Sequence, residues 1–386
     1  MKQRENLLTE VVKEFSDPLY GFVRVSSGEL KLIDTLIFQR LRHIKQLGTA
    51  YLVFPSAQHS RFEHAIGVLH LTDLLLSRTR AGSDRRIRDM VRVAGLLHDL
   101  GHPPFSHTTE VLIPDERGHE ELTGRIILET EIYDILRKDL KFSHEEVESV
   151  VRITTGNPDG EEEKFLSSLI TGQFGSDRMD YLRRDAFFCG VSYGIFDYQR
   201  LLSTVEEVEG KLVVHISGLR ALENFLIGRY FMYVQVYFHK VVRILNLHLI
   251  DLIGRVLSEK HFTDLGLFLR TNDTTVLAEA FSNPDLRDLT ERVFGRKHFK
   301  EVFSTRSREE FEEAKDLILS RIPPDKVKFD SVYKEPFDED IEILDGDRLV
   351  KATEVSDLIG SLKPIEIHRI YVDADVREEA WSLLRG

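Results

Sequence analysis

The segment AGLLHDLGHPPFSH, residues 94–107, constrains the fold of this chain more than any other stretch. Apolar residues recur at helical spacing over residues 85–98, which places His98 on the apolar side of a helix. Asp99 follows at the helix end, where Gly101 and two prolines stop the pattern. A buried histidine beside a buried aspartate is costly unless both have partners. The pair therefore either caps the helix and hydrogen-bonds internally, or binds a divalent cation with help from elsewhere.

Two further segments carry polar side chains that could join this pair. His64 lies among apolar residues on the helix predicted over residues 61–77, where a histidine is commonly a hydrogen-bonded core residue. In GSDRMDYLRRD, residues 175–185, Asp177 begins a polar stripe along one helix face. Such a stripe is commonly solvated and held by surface ion pairs, and it could equally line a polar pocket.

A fourth segment, RYFMYVQVYFHK at residues 229–240, combines basic and aromatic side chains. The helical period predicts one shared face for Arg229, Tyr233, Tyr237 and Lys240. The face is either an aromatic core or oligomer interface, or a site where the two cations bind phosphate beside a ring that packs on a base or sugar.

Periodicity also indicates how the chain is organised. Helical patterns cover most of the first 320 residues, with β-hairpins predicted over residues 18–32 and 204–216. After about residue 320, short strand patterns surround one helix. We therefore expect a helical domain over residues 1–320, with the candidate metal-binding core at about 34–190, and a small α+β lobe over residues 321–386.

Composition limits the partners and the location. The chain has 52 basic and 65 acidic residues and a net charge of -13, which disfavours broad nucleic-acid binding but not a small anionic substrate in a basic pocket. The one cysteine, Cys189, excludes an intrachain disulfide and a cysteine-rich metal site. The N-terminus is too charged for a secretory signal, and no apolar run approaches the roughly 18 residues that cross a bilayer. We expect a cytoplasmic protein without a membrane partner.

The ordered series of motifs resembles the HD-domain metal-dependent phosphohydrolases, named for a His…His-Asp…Asp ligand set. Within them it is most similar to the deoxynucleoside triphosphate triphosphohydrolases, which include the vertebrate antiviral enzyme and bacterial relatives. The likeness runs from about Lys13 to about Lys240 through IDTLIFQRLRHIKQLGTAYLVFPSAQHSRFEHAIGVLHL and HDLGHPPFSH. It implies a mostly α fold, an HD-domain helical bundle with small β-hairpins and a small C-terminal α+β lobe. It also implies one divalent metal ion (manganese, magnesium, iron, zinc or nickel) held by His64, His98, Asp99 and Asp177.

The same resemblance implies the remaining site residues. The catalytic residues would be His102, His107, His119 and Glu110, the last standing where close relatives carry an aspartate. The residues expected around the substrate are Gln46, Leu47, Arg61, Arg178, Tyr181, Asp185, Arg229, Tyr233, Tyr237 and Lys240. Among them, Asp185 would accept a hydrogen bond from the 3′-hydroxyl, Tyr237 would pack on the sugar, and Tyr233 replaces a histidine.

The implied reaction is hydrolysis of a deoxynucleoside triphosphate to deoxynucleoside and triphosphate. Relatives of this kind assemble as oligomers, so a homodimer or homotetramer is expected, with an activator nucleotide such as guanosine triphosphate between subunits. The regulatory positions would be Lys13, Asp34, Gln39, Arg42 and Arg200. Two alternatives stay open. One is another HD-type reaction, by a nucleotidase, a phosphodiesterase or a guanosine tetraphosphate hydrolase; the other is a nucleotide-binding regulator with little activity.

Overall fold

The computed structural model describes residues 11–114 and 118–385, and most of these residues are α-helical. The α-helices before residue 320 are α1 Ser27–Ile33, α2 Leu36–Gln39, α3 Arg61–Leu76, α4 Arg85–Leu97, α5 Gly118–Glu129, α6 Glu131–Lys138, α7 His144–Thr154, α8 Gly160–Thr171, α9 Ser176–Cys189, α10 Tyr198–Ser203, α11 Leu219–Met232, α12 Lys240–Val256, α13 Lys260–Thr263, α14 Leu265–Phe268, α15 Asp273–Ser282, α16 Arg287–Val293 and α17 Arg308–Leu319. Those after it are α18 Ala352–Val355, α19 Asp357–Ser361 and α20 Arg377–Arg385.

The described strands form three small sheets. They are β1 Val11–Asp17, β2 Gly21–Ser26, β3 Val205–Val208, β4 Lys211–His215, β5 Lys300–Thr305, β6 Val327–Lys334, β7 Glu342–Asp345, β8 Arg348–Lys351 and β9 Ile365–Val372. The sheet orders are β1-β2, β3-β4-β7-β8 and β5-β9-β6; β4 and β7 run parallel, and the other neighbouring strands antiparallel. The predicted mostly helical fold with a small C-terminal α+β part is confirmed. Both larger sheets join strands from either side of residue 320, and the domain boundary there stays a prediction.

The first hairpin differs from the one expected over residues 18–32. Its turn follows β1, where the Asp17 carboxylate accepts hydrogen bonds from the backbone N–H groups of Leu19 and Tyr20 and Gly21 has φ +77°. Ser26 instead caps α1, because its side chain and that of Glu29 form a reciprocal capping box. The serine pair therefore starts a helix rather than turning a hairpin.

Helices α3, α4 and α9 position the candidate site. The Ser60–Glu63 capping box starts α3, Asp84 caps the start of α4, and His98 forms the C-terminal cap of α4. The α3–α9 approach is close enough to require a glycine, because a Cβ on Gly67 would lie 1.9 Å from Asp180 Oδ1. Apolar side chains from all three helices belong to the main core. Among the described residues, no helix is both long and apolar enough to cross a membrane.

Candidate active site

The two histidines expected to bind metal are oriented by hydrogen bonds on the far side of each ring. His98 Nδ1 lies 2.9 Å from the Gly95 carbonyl oxygen, and His64 Nδ1 lies 2.7 Å from Asp180 Oδ2. A carbonyl or carboxylate oxygen can only accept, so Nδ1 carries the proton in both rings. The neutral form of each imidazole therefore presents its Nε2 lone pair to the centre of the site, as a metal ligand does.

The four expected ligands converge from three chain segments, and together we call them the ligand cluster. Asp177 Oδ1 lies 3.1 Å from His64 Nε2 and 3.7 Å from His98 Nε2. The Asp99 carboxylate completes the set, with Oδ1 3.2 Å from His98 Nε2 and Oδ2 3.6 Å from His64 Nε2. Asp177 lies on α9, more than 70 residues beyond the His98–Asp99 pair, so the tertiary fold brings these side chains together.

The ligand cluster fits a divalent cation on its own chemistry. The ligand atoms of His64, His98 and Asp99 lie within 4.8 Å of one another, and all three side chains are buried. His98 Nε2 is buried without a hydrogen-bond partner, which is costly unless a ligand completes its surroundings. Two imidazole nitrogens and two carboxylates are a donor set that suits several divalent metals and does not select one of them.

Charge in the ligand cluster favours a positive partner. Burial alone would lower the pKa of His64, but hydrogen bonds to Asp177 and Asp180 raise it to about 10. Burial alone would raise the pKa of Asp177, but the hydrogen bond with His64 and the nearby His98 ring hold it well below its usual range. In the metal-free chain a proton on His64 thus offsets part of the carboxylate charge, and a bound cation would take over that role.

Three more histidines surround Glu110 beside the ligand cluster. His102 is buried and its Nε2 lies 3.2 Å from Asp99 Oδ1, while its ring stacks on His119 with centroids 3.7 Å apart. Glu110 contacts His119 through Oε1 and His107 through Oε2, the second at 2.7 Å. Burial and the nearby charges of Arg61 and His119 hold the pKa of His102 well below its usual value. Burial opposes a charged His119, yet the hydrogen bond and charge of Glu110 raise its pKa.

Arg61 connects the ligand cluster to the open cavity. Its Nη1 lies 2.5 Å from Asp99 Oδ2 and its Nε donates to Ser106 Oγ over 2.8 Å. The side chain is buried, yet Nη2 has no hydrogen-bond partner. A buried, unpaired guanidinium nitrogen beside a cavity is suited to bind an anionic oxygen.

One cavity of about 620 Å³ reaches from the ligand cluster to an aromatic end. At that end the Tyr237 hydroxyl donates to Asp185 Oδ2 over 2.7 Å, and the Tyr181 and Tyr237 rings meet edge to face. The expected site residues on its wall are Gln46, Leu47, Arg61, His98, Asp99, His102, His107, His119, Asp177, Tyr181, Asp185, Tyr233 and Tyr237.

Three expected phosphate-binding cations do not line this cavity and are held by other groups. Arg178 donates to Gln173 Oε1 over 2.9 Å and to Asp338 Oδ2 over 2.5 Å, and Arg229 donates to the Pro336 carbonyl. Lys240 does not share a helix face with Arg229, because residues 233–237 form a π-helical turn between α11 and α12. Its Nζ instead lies 3.3 Å from Glu301 Oε1.

The five expected regulatory residues lie on three parts of the chain. Gln39 donates to the Ile33 carbonyl, next to Asp34, and accepts from Arg42 Nε over 2.7 Å. Lys13 is exposed on β1. Arg200 is on α10, where it donates to the Ser217 carbonyl over 2.8 Å. Nothing in these contacts identifies a nucleotide, and the regulatory role stays a prediction.

Two residues near the site were not among the expected ones. Asp180 orients His64, and its position three residues after Asp177 on one helix face was a usable signal. His59 lies 2.8 Å from Asp185, but it precedes the cap of α3 in an irregular segment, so no periodic pattern indicated it.

Two family models match parts of this chain. The HD domain matches residues 61–186, and the HD associated region matches residues 196–322. An uncharacterized protein of Bacillus subtilis is 43% identical over 236 residues, 60% of this chain and 53% of that protein. The chain thus spans about half the length of that relative. A Dictyostelium discoideum protein named as a deoxynucleoside triphosphate triphosphohydrolase homolog is 28% identical over 385 residues, 94% of this chain and 71% of that protein.

Two solved structures match nearly the whole chain. A hypothetical protein from Aquifex aeolicus has a TM-score of 0.91 and 59% identity, covering 96% of this chain and 99% of that one. A phosphohydrolase from Bacteroides thetaiotaomicron has a TM-score of 0.76 and 26% identity, covering 94% and 99%. With its His and Asp side chains gathered at the ends of α3, α4 and α9, the chain belongs to the HD-domain family of phosphohydrolases.

Proposed function

We propose that the chain is a metal-dependent hydrolase that converts deoxynucleoside triphosphates to deoxynucleoside and triphosphate. The observation that carries the proposal is the single cavity shared by the ligand cluster and the Tyr181–Asp185–Tyr237 end. Its volume is within the range of small-molecule sites, roughly 300–1,000 Å³. A phosphate at the cluster and a sugar against the tyrosines would occupy opposite ends of it. The name of the Dictyostelium relative supports the same substrate class.

His64, His98, Asp99 and Asp177 would hold the divalent ion, which when bound supplies positive charge to phosphoryl oxygens and acidifies bound water. Arg61 adds charge from the protein side, since its Nη2 is free to bind a phosphoryl oxygen. His107 lines the cavity, and its Nδ1 contact with Glu110 leaves Nε2 to protonate the leaving oxygen. His119 shares Glu110 and is the second candidate for this acid.

The aromatic end of the cavity would recognise the nucleoside through Asp185 and Tyr237. Asp185 lines the cavity and would accept a hydrogen bond from the 3′-hydroxyl, while the Tyr237 ring would pack on the sugar face. Arg178 and Arg229 would reach the outer phosphates only after leaving Asp338 and the Pro336 carbonyl. A triphosphate carries enough charge to compete for both guanidinium groups.

Product identity is the decisive test. Purified protein is incubated with each deoxynucleoside triphosphate and manganese or magnesium, and the products are separated by ion-exchange chromatography. Triphosphate and deoxynucleoside in equal amounts support the proposal, and chelation of the metal should stop their release. Orthophosphate with a nucleoside diphosphate or monophosphate would instead identify a different HD-type phosphatase.

Activation and assembly belong to the same proposal as separate parts. We expect guanosine triphosphate to increase the rate through the Lys13, Asp34, Gln39, Arg42 and Arg200 positions, with subunits joined as a dimer or tetramer. Repeating the assay with guanosine triphosphate, and measuring mass in solution with and without it, tests both. An unchanged rate and a monomer at all nucleotide concentrations would remove this part and leave the hydrolysis proposal standing.

A further inference from the structure

His59 lies behind the aromatic end of the cavity and contacts two of the chain segments that line the cavity. The side chain is buried, and His59 is not part of the cavity wall. Its Nε2 lies 2.8 Å from Asp185 Oδ1, while its backbone carbonyl accepts a hydrogen bond from the Gln46 backbone N–H over 3.1 Å. One residue therefore links the loop that carries Gln46 to the helix that carries Asp185.

The surroundings of His59 favour one protonation state. Its Nδ1 is buried and has no hydrogen-bond partner, so a proton there would be a buried donor left unpaired. A neutral ring with its proton on Nε2 avoids that cost and donates to Asp185. The imidazole also stacks on Phe188, with centroids 4.7 Å apart and ring planes 14° from parallel. Stacking on the Phe188 ring therefore fixes the direction in which His59 donates to Asp185.

Asp185 is held from both sides. His59 occupies Oδ1 and the Tyr237 hydroxyl occupies Oδ2 at 2.7 Å, which restrains rotation of the carboxylate. Each carboxylate oxygen can accept a further hydrogen bond, so Asp185 keeps capacity for a donor inside the cavity that it lines. An acceptor fixed in this way selects for a ligand that donates along the same direction, because a ligand without the donor leaves it unpaired.

We propose that His59 is a positioning residue that determines sugar specificity: by orienting Asp185, it makes the site discriminate in favour of nucleotides that carry a 3′-hydroxyl. The inference rests on the proposed function, in which Asp185 is the acceptor for that hydroxyl. His59 itself touches no part of the ligand, so its effect should follow the 3′-hydroxyl and not the phosphates.

The test compares His59→Leu and His59→Gln on 2′-deoxynucleoside triphosphates and their 2′,3′-dideoxy counterparts. Leucine removes the donor, whereas the glutamine amide nitrogen can occupy the place of Nε2. His59→Leu should raise KM for the deoxy substrates about tenfold with little change in kcat, the usual scale for a lost hydrogen bond to a charged group. The dideoxy substrates should be nearly unaffected, and His59→Gln should recover most of the lost discrimination.

The matched control is His248→Leu, which removes another buried imidazole. His248 packs edge to face on Phe299, with centroids 4.7 Å apart, and lies outside the cavity wall. Its loss should leave the ratio between deoxy and dideoxy substrates unchanged. Equal losses for both substrate types in His59→Leu, or no rescue by His59→Gln, would reduce His59 to a packing residue and overturn the inference.

Equilibrium binding separates this inference from the proposed function, because it needs no turnover. The same proteins are titrated with 2′-deoxynucleosides and 2′,3′-dideoxynucleosides. A wild-type protein that hydrolyses no triphosphate but prefers the deoxynucleosides, with the preference lost in His59→Leu, supports the inference while the proposed function fails. A wild-type protein that binds both nucleosides equally overturns the inference even if it hydrolyses triphosphates.

Discussion

The helix pair α3 and α4 carries a buried polar cluster at each end, and the two clusters differ in one respect. At the end opposite the ligand cluster lies what we call the ion-pair cluster: Glu29, Asp73, Arg88 and Arg92. Arg92 donates to both Glu29 oxygens, at 2.7 and 2.9 Å, and lies 2.9 Å from Asp73 Oδ1, while Arg88 reaches Asp73 at 2.6 Å. Every described buried polar side-chain atom of these four residues has a hydrogen-bond partner. At the other end of the helix pair, His98 Nε2 and Arg61 Nη2 have none.

This difference distinguishes a structural cluster from a binding site on the contacts of this chain alone. Charges balance within the ion-pair cluster, so nothing needs to bind there, and its contribution is to hold β2, α1, α3 and α4 together. The ligand cluster is completed only by a partner from outside the chain. Burial alone does not distinguish the two ends, because each combines buried side chains with one partly exposed aspartate, Asp177 at one end and Asp73 at the other. The unpaired atoms distinguish them.

A substitution in the ligand cluster should have a larger effect on activity than any other change. Asp177→Asn removes one anionic ligand, so turnover should fall more than about a thousandfold, beyond the cost of a lost outer-sphere partner or a single oxyanion donor. Because its carboxylate is partly exposed, the free energy of unfolding of the metal-free protein should change by about 1 kcal/mol or less. Product release, bound metal by mass spectrometry and urea unfolding measure these quantities. Full activity of Asp177→Asn after chelator treatment would contradict the assignment of Asp177 as a metal ligand.

A substitution in the ion-pair cluster should affect stability and not activity. Arg92→Met leaves the Glu29 carboxylate buried without its guanidinium, which should cost about 3 kcal/mol in the free energy of unfolding. Metal content and kcat per folded molecule should stay unchanged. Urea unfolding beside a kinetic assay at low temperature measures both.

The control for that variant replaces both partners. In Arg92→Met with Glu29→Leu, no charge is left unpaired between these two positions, so much of the lost stability should return. A double variant as unstable as Arg92→Met alone would mean that the Ser26–Glu29 capping box, and not the ion pair, carries the stability of this end.

Asp180 contacts both an expected metal ligand and a buried ion-pair partner. It orients His64 and also pairs with Arg184, which in turn lies 2.9 Å from Asp17. Asp180→Asn should weaken manganese affinity about 10–100-fold, as losses of an outer-sphere carboxylate do. Asp17→Asn is the matched control: it removes the other carboxylate of Arg184, leaves His64 untouched, and should lower stability without changing metal affinity. Calorimetric titration measures the manganese affinity of both variants. Equal affinities would contradict the assignment of Asp180 to the metal site and of Asp17 to stability alone.

Local order in this region could be predicted from the sequence, whereas the ligand cluster could not be assembled from it. The bounds of α3 and α4 agree within one residue with the helices predicted over 61–77 and 85–98, because capping residues and apolar spacing act within a few turns. The approach of Asp177 to His64 depends on α9 packing against Gly67, a contact across more than 100 residues. Only the resemblance to a known family indicated that convergence.

The errors came from places where two local signals compete or where the helix is irregular. The Ser-Ser-Gly stretch has turn residues, but a capping box with Glu29 prevails there. The spacing of Arg229, Tyr233, Tyr237 and Lys240 fits an α-helix, yet the π-helical turn over residues 233–237 rotates Lys240 towards Glu301. A sequence period assumes a regular helix, so it cannot show where a single turn widens.

The smallest expected effect concerns an ion pair at the protein surface, where solvent screens what burial strengthens. Asp338 is about half exposed and holds Arg178 at 2.5 Å, so a substrate phosphate would have to displace it. Asp338→Asn should lower KM for a deoxynucleoside triphosphate by about fivefold at most, the value of an exposed pair, and the gain should shrink as salt rises. Asp340→Asn is the control, because Asp340 pairs with Thr353 in the same segment. If KM is unchanged in Asp338→Asn at low salt, Arg178 does not reach the phosphates, and the proposed phosphate-binding role of Arg178 is wrong.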